Sequence, residues 1–99
     1  MREKISGIYC IENVDTSKKY IGQSKDIKKR WQKHINALNS GTHRNDYLQH
    51  AWNKYGENRF KFYIIEECVA DILDEREIYY IDYYKTTDSD YGYNLKSGG

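Results

Sequence analysis

Residues Ser6–Glu12 read SGIYCIE, and residues Lys18–Gly22 read KKYIG. Both stretches are rich in the β-branched and aromatic residues that favour strands. The five residues between them, 13–17, read NVDTS and have the composition of a turn. We therefore predict that the two stretches pair as an antiparallel hairpin.

A first helix is predicted directly after the hairpin. Four apolar residues recur there at helical spacing: Ile27, Trp31, Ile35 and Leu38. Ser24 is the predicted N-cap, with Asp26 in the first turn, where a negative charge suits the helix dipole. Residues 39–41, Asn-Ser-Gly, end the helix.

The remaining sequence predicts a second helix, a strand and a third helix. The second helix is marked by Leu48, Ala51, Trp52 and Tyr55 and stops at Gly56. The strand covers Phe60–Ile65, with Phe60, Phe62 and Ile64 alternating toward one side. The third helix runs from about residue 70 to 84, and residues 86–99 form a polar, irregular tail. The order β-β-α-α-β-α, without proline or an internal repeat, predicts an α+β domain: a small three-stranded antiparallel β-sheet flanked by three or more helices.

The length and composition describe one globular domain over residues 1–99. No apolar run approaches the roughly 20 residues that span a bilayer, so we expect no membrane partner. The chain opens without an apolar signal segment, and we expect cytoplasmic residence. Cys10 and Cys68 are too few for a zinc site or a disulfide framework, and both are interpreted as small core residues.

The charges are unevenly divided along the chain, although the net charge is only +1. Residues 1–54 hold 11 Lys or Arg against 5 Asp or Glu, which gives +6, and residues 55–99 hold 5 against 10, which gives −5. A surface of mixed charge would explain this, but so would one face that meets an anion and another that repels it.

The first predicted helix carries a basic face. Arg30 and His34 are four residues apart and therefore lie on the same side, at the edge of the apolar stripe. Lys25, Lys28, Lys29 and Lys33 surround them. These cations suit a phosphate backbone, and an arginine can grip two phosphate oxygens at once. The alternative is a solvated basic helix without a partner.

Glu77 falls on the apolar face of the third predicted helix, between Leu73, Tyr80 and Ile81. A buried carboxylate is unfavourable unless it is paired or binds a metal. Glu77 is therefore either a salt-bridge partner or a ligand of a hard metal ion. Its neighbour Glu75 points away from this face.

Two of the eleven tyrosines stand apart from the others, which we expect mainly to pack their rings. Tyr9 and Tyr20 occupy comparable places on the paired strands, each beside a glycine that admits close backbone approach. Two adjacent phenols could hold or deprotonate a water, provided that a nearby cation lowers the pKa of the phenol.

Taken together, these residues resemble the GIY-YIG nuclease superfamily. The two defining tripeptides are Gly7–Tyr9 and Tyr20–Gly22. The resemblance continues with four further positions: Arg30, His34, Glu77 and Asn94. Within the family the chain is most similar to the catalytic domains of phage and group I intron homing endonucleases, which share Asn53–Gly56 and His43.

The resemblance implies hydrolysis of a DNA phosphodiester with one divalent ion, Mg²⁺ or Mn²⁺, held chiefly by Glu77. Tyr9 is then the candidate general base, with Tyr20 and His34 placed to polarise it or relay its proton. Arg30 would neutralise charge on the phosphate in the transition state.

Asn94 would order the site by hydrogen bonds, and His43 is a possible further member. The expected partner is double-stranded DNA, contacted through the lysines of the first helix by a monomer in a phage-infected or bacterial cell. A separate DNA-binding region is expected beyond Gly99. The alternatives are a restriction or structure-specific repair nuclease domain, or a catalytically silent DNA-binding module.

Overall fold

The structure is a computed structural model that describes residues 3–96. Residues 97–99 of the predicted tail, and any boundary at Gly99, lie outside the described residues. Within that range no helix combines the length and apolar character that crossing a membrane requires.

Three strands form one antiparallel sheet, as predicted. They are β1 (Gly7–Asn13), β2 (Lys19–Ser24) and β3 (Phe60–Glu67), in the order β2-β1-β3. Because β1 is the central strand, β2 lies at one edge of the sheet. The third strand runs two residues beyond its predicted end. Its register with β1 shifts at a bulge near Ile8, and Glu66 and Glu67 still pair with β1 past that bulge.

Three α-helices accompany the sheet: α1 (Ile27–Ser40), α2 (Asp46–Tyr55) and α3 (Leu73–Tyr84). Short 3₁₀ turns precede β3 and α3, at Glu57–Arg59 and Ala70–Ile72. The predicted start of the third helix at residue 70 was wrong, because residues 70–72 form the 3₁₀ turn and the regular helix begins at Leu73.

The predicted N-cap of the first helix was also wrong. Asp26 is the N-cap, and its side chain accepts a hydrogen bond from the Lys29 N–H at 3.4 Å. Ser24 ends β2, where it pairs with Gly7, and its hydroxyl accepts from the Asp26 N–H at 2.9 Å. Ser24 thus closes the turn between the strand and the helix, and the helix starts at Ile27, two residues later than a Ser24 cap requires.

The sheet divides the core into two apolar clusters. Tyr9 and Ile11 face α1 and α2, whereas Ile8, Cys10 and Ile21 face α3. Phe60, Phe62 and Ile64 pack on the first cluster, as their predicted alternation requires, and Leu73 and Ile81 belong to the second. Cys10 is fully buried, which confirms it as a core residue, whereas Cys68 is only half-buried and packs against the margin of the second cluster.

Because α1 covers one face and α3 the other, side chains from both helices can meet only around an edge of the sheet. The meeting place is the edge formed by β2.

Candidate active site

A cleft of about 490 Å³ opens at the β2 edge of the sheet, between α1 and α3. Six of the predicted site residues line it: Tyr20, Arg30, His34, His43, Glu77 and Asn94. Lys33 lines the cleft as well, with two cations that the sequence did not single out, Arg44 and Lys96. The structure thus gathers residues that are up to 74 positions apart in the sequence, from Tyr20 to Asn94, at one place.

Tyr9 lies behind the wall of the cleft. Its side chain is 1% exposed, and its hydroxyl oxygen lies 2.6 Å from His34 Nε2. The ring lies over Gly22, its partner in the β1–β2 ladder, where an added Cβ would stand 2.4 Å from the ring and hydroxyl. Gly22 therefore makes the space that lets Tyr9 reach His34 across the strand.

The rings of Tyr9, Tyr20 and His34 form one aromatic group. The His34 ring meets Tyr9 and Tyr20 edge-on, with centroid distances of 5.7 Å and 5.5 Å. His34 is 3% exposed. Both tyrosines thus contact the same imidazole, a contact that their positions on the two strands had not predicted.

His43 extends this group along the cleft. Its Nε2 lies 2.8 Å from His34 Nδ1, and the two rings stack. Its Nδ1 accepts a hydrogen bond from the Asn45 N–H at 3.0 Å. His43 is half-buried, lines the cleft and is joined to His34, and its membership of the site stays a prediction.

Burial governs the protonation of this group. Burial, then the positive charge of Arg30 and then His43, lowers the pKa of His34 from 6.5 to about 3, so its imidazole is neutral at pH 7. Burial raises the pKa of Tyr9 far above its ordinary value, more than Arg30 lowers it. The pKa of Tyr20 is also raised by burial. Both phenols therefore carry their protons at neutral pH in this structure.

Glu77 projects into the cleft from α3, opposite α1. Its Oε1 accepts a hydrogen bond from Gln23 Nε2 at 3.1 Å, and the same amide nitrogen donates to Asp74 at 2.6 Å. Gln23 directly follows Gly22 on β2. It ties the strand that carries Tyr20 to the helix that carries Glu77.

Asn94 completes the unpaired edge of β2. Its Oδ1 accepts from the Ile21 N–H at 2.8 Å, and its Nδ2 donates to the Ile21 carbonyl at 2.9 Å. The side-chain amide therefore does what a neighbouring strand would do for Ile21. The preceding residues also reach the strand, since Tyr93 N–H donates to the Lys19 carbonyl at 2.9 Å. The predicted irregular tail is thus bound to the sheet.

The predicted DNA-backbone lysines take two different places. Lys33 lines the cleft with Arg30, whereas Lys25, Lys28 and Lys29 are exposed next to it and do not line it. All of them lie on α1 or just before it.

Three residues that position the site were missed by sequence reasoning: Gln23, Asn45 and Gln49. Gln49 Oε1 accepts from the His43 N–H at 3.0 Å, and its Nε2 donates to the Leu38 carbonyl at 2.9 Å. Buried amides on a helix carry no periodic signal that separates them from solvated ones. Only Asn45, just before the second apolar run, had a recognisable pattern, that of an N-cap.

A divalent ion fits the donor set of the cleft. Glu77 is the one carboxylate among the described residues that line it, and no group of three or more His, Cys, Asp or Glu within residues 3–96 could cage a metal. Mg²⁺ commonly uses one or two carboxylates and takes its other ligands from water and phosphate oxygens. A single glutamate in an open cleft suits that mode, with the remaining ligands coming from water and substrate.

Two comparisons with characterised proteins agree with this geometry. The chain is 42% identical over 78 residues to intron-associated endonuclease 1 of Enterobacteria phage T4, which covers 77% of this chain and 31% of that protein. It superposes on the catalytic domain of intron endonuclease I-TevI with a TM-score of 0.83 at 36% identity, over 92% of this chain and 98% of the other. A mutant form of the same catalytic domain gives a TM-score of 0.86 at 36% identity, over 96% and 97%.

The strands, the helices, the two tripeptides and the six predicted residues that line the cleft all lie inside one match to a known family. Residues 5–94 match the family profile of the GIY-YIG catalytic domain. This chain belongs to the GIY-YIG family.

Proposed function

We propose that this chain is an endonuclease domain that hydrolyses phosphodiester bonds of double-stranded DNA with one divalent ion, Mg²⁺ or Mn²⁺. The observation that carries the proposal is the cleft itself, which is lined by Glu77 from α3, Arg30 and His34 from α1, and Tyr20 from β2. A cation, a metal-binding carboxylate and proton-carrying side chains in one cleft are what phosphoryl transfer to water requires. Family membership and the named relatives support the same reaction class.

The charges of the cleft favour a phosphate as the bound group. Arg30, Lys33, Arg44 and Lys96 line it together with a single carboxylate. Arg30 is exposed on α1 and can form paired hydrogen bonds with two phosphate oxygens. Its fixed charge stabilises the negative charge that builds up on the phosphate during attack, an effect that often dominates catalysis.

Glu77 would hold the divalent ion, with Gln23 keeping the carboxylate in place. When bound, such an ion polarises the phosphate and stabilises the leaving oxygen. Tyr9 is the proposed general base, and its oxygen lies within hydrogen-bonding distance of His34. Tyr20, which lines the cleft, is placed to orient the attacking water. Because Tyr9 holds its proton in the free protein, the substrate complex must lower its pKa before it can act.

The chain spans 31% of the length of the T4 relative. What a longer protein would do is therefore a separate proposal. We extend the proposal to a homing-type endonuclease that acts as a monomer in the cytoplasm of a phage-infected or bacterial cell. The cations described here reach phosphates, which position a protein without reading sequence. Recognition of a particular site would therefore come from a DNA-binding region outside these residues.

The metal site is tested by calorimetric titration of Mn²⁺ into the parent chain and two glutamate variants. We expect Glu77→Gln to abolish binding, because the amide keeps the shape of the side chain without its charge. Glu75→Gln, on the exposed side of the same helix, is the matched control and should bind as the parent does. Parent-like affinity in Glu77→Gln would make Glu77 structural and remove the metal from the mechanism.

A further inference from the structure

In the loop between α1 and α2, a backbone N–H group determines which ring nitrogen of His43 carries the hydrogen. The Asn45 N–H donates to His43 Nδ1 at 3.0 Å. A backbone N–H can only donate, so Nδ1 must be the bare nitrogen of the ring. The neutral His43 ring therefore carries its hydrogen on Nε2, and a doubly protonated ring would set two donors against each other.

That hydrogen determines the state of His34. His43 Nε2 lies 2.8 Å from His34 Nδ1, so His34 Nδ1 must accept. The neutral His34 ring then carries its hydrogen on Nε2, 2.6 Å from the Tyr9 oxygen. The hydrogen bonds therefore run in one direction, from the Asn45 backbone through both imidazoles to the phenol oxygen of Tyr9.

The loop that starts this chain of hydrogen bonds is held by both neighbouring helices and by the segment that borders β2. Gln49 on α2 accepts from the His43 N–H, and it donates to the Leu38 carbonyl at the end of α1. The Asn45 side chain donates to the Tyr93 carbonyl at 2.7 Å and accepts from the Leu48 N–H at 3.0 Å as the cap of α2. The position of the Asn45 N–H is thus fixed by α1, α2 and the segment that borders β2.

We propose that His43 is a positioning residue that holds His34 in the Nε2–H tautomer, so that His34 donates to Tyr9 and cannot take its proton. This rests on the proposed function, since it assigns His34 to stabilising a Tyr9 phenolate. Two roles were open to His34: polarising Tyr9 or relaying its proton. A ring that already donates from Nε2 cannot relay that proton, so only the first role remains. That proton must leave toward the cleft.

The assignment is tested first in the parent chain, where no substitution can disturb the fold. Two-dimensional ¹H–¹⁵N spectra of the imidazole rings distinguish a protonated from a bare ring nitrogen. We expect His34 and His43 both to show a bare Nδ1 and a protonated Nε2 at pH 7. A proton on Nδ1 of His34, or a charged ring, would overturn the proposal. Because this readout needs no DNA, a parent chain that shows these tautomers but does not cleave would refute only the proposed function.

A pair of nearly isosteric variants then tests whether His43 is the cause. The terminal Nε2 of glutamine and the terminal Oε of glutamate lie as many bonds from Cβ as Nε2 of histidine does. Of the two side chains, only glutamine offers a hydrogen-bond donor at that position. In His43→Glu the carboxylate must accept, so His34 should move its hydrogen to Nδ1 and turn a bare Nε2 toward Tyr9. In His43→Gln the donor remains, and His34 should keep the Nε2–H tautomer.

Cleavage should follow the tautomer. A wrong imidazole tautomer lowers turnover by about 10⁴-fold in a serine protease triad, and we expect a loss of about 10²-fold or more in kcat for His43→Glu. His43→Gln, which keeps the hydrogen bond in weakened form, should stay within about tenfold of the parent. If His34 keeps its hydrogen on Nε2 in His43→Glu, or if both variants lose activity equally with unchanged tautomers, His43 does not set the state of His34 and the proposal fails.

Discussion

Gly22 lies directly opposite Tyr9 in the β1–β2 ladder, and the tyrosine ring lies over the glycine. Gly7 has a similar function on the other side of β1, where an added Cβ would stand 2.0 Å from the Glu66 carbonyl oxygen at the bulge. Each glycine makes room for one neighbour, a side chain in one case and a backbone in the other. The sequence predicted close backbone approach at both glycines, which is correct at Gly7 and wrong at Gly22, because the register of the sheet places the Tyr9 side chain there.

Because His34 is buried, we predict that the free energy of unfolding depends on pH. The pKa of its imidazole is lowered to about 3 in the folded chain, chiefly by burial, against about 6.5 when unfolded. Between these values the unfolded state binds more protons, so the contribution of neutral His34 is fully present above pH 6.5 and is lost as the pH falls toward 3. The loss approaches about 1.4 kcal/mol per pH unit at most. Urea unfolding, followed by tryptophan fluorescence at pH 7.5 and pH 4.5, should show a smaller decrease for His34→Gln than for the parent.

The control for this measurement is His50→Gln, which removes an exposed histidine from α2. It should lose as much stability as the parent between the two pH values. An equal decrease in His34→Gln and the parent would show that His34 is not held neutral by the fold.

Helix α1 shows which structural features a sequence pattern predicts and which it does not. The apolar stripe of the helix and its end at Gly41, in the left-handed conformation at φ 72°, were predicted correctly. The N-cap was not, because Ser24 and Asp26 are both capping residues and the choice depends on where β2 ends. The hydrogen-bonded loop from α1 to α2 was beyond prediction, since it joins residues through tertiary contacts that no local pattern records.

A second prediction concerns the contribution of Asn94 to stability at the edge of β2. Asn94 satisfies both backbone groups of Ile21, so Asn94→Ala leaves two buried polar groups without a protein partner. We expect a decrease of about 1–3 kcal/mol in the free energy of unfolding and faster hydrogen exchange at the Ile21 amide. Asn58→Ala, at an exposed position in the turn before β3, is the control and should change neither. If the Ile21 amide stays protected in Asn94→Ala, the side chain does not complete the strand.

At the scale of the whole molecule, the opposite charges of the two halves meet at the cleft. The basic first half contributes Arg30, Lys33 and Arg44, and the acidic second half contributes Glu77, together with the cation Lys96. The charge asymmetry of the sequence left open both a surface of mixed charge and an anion-binding face, and it pointed to α1. It did not reveal Arg44 or Lys96, because a single charge in a loop has no periodicity to place it.

This distribution predicts weak DNA binding that depends strongly on salt. A footprint of about four or five phosphates gives a slope of about −4 for the logarithm of the association constant against that of the salt concentration, with non-specific dissociation constants of about 10⁻⁴ to 10⁻⁶ M. Fluorescence anisotropy with Glu77→Gln protein and random duplexes measures both quantities without cleavage. Lys33→Gln should reduce the magnitude of the slope by about 1, whereas Lys61→Gln, an exposed control on β3, should leave it unchanged. Nanomolar, sequence-selective binding that persists at high salt would show instead that these residues choose their own target.

The most direct test of the central claim, metal-dependent cleavage in this cleft, is the conversion of supercoiled plasmid by the 99-residue chain in Mg²⁺ and in EDTA. Glu77→Gln and Glu75→Gln, purified identically, identify any contaminating nuclease. We expect nicked or linear product from the parent and Glu75→Gln with Mg²⁺, and none from Glu77→Gln or in EDTA. Equal conversion in Mg²⁺ and EDTA, or equal conversion by Glu77→Gln and the parent, would contradict the account.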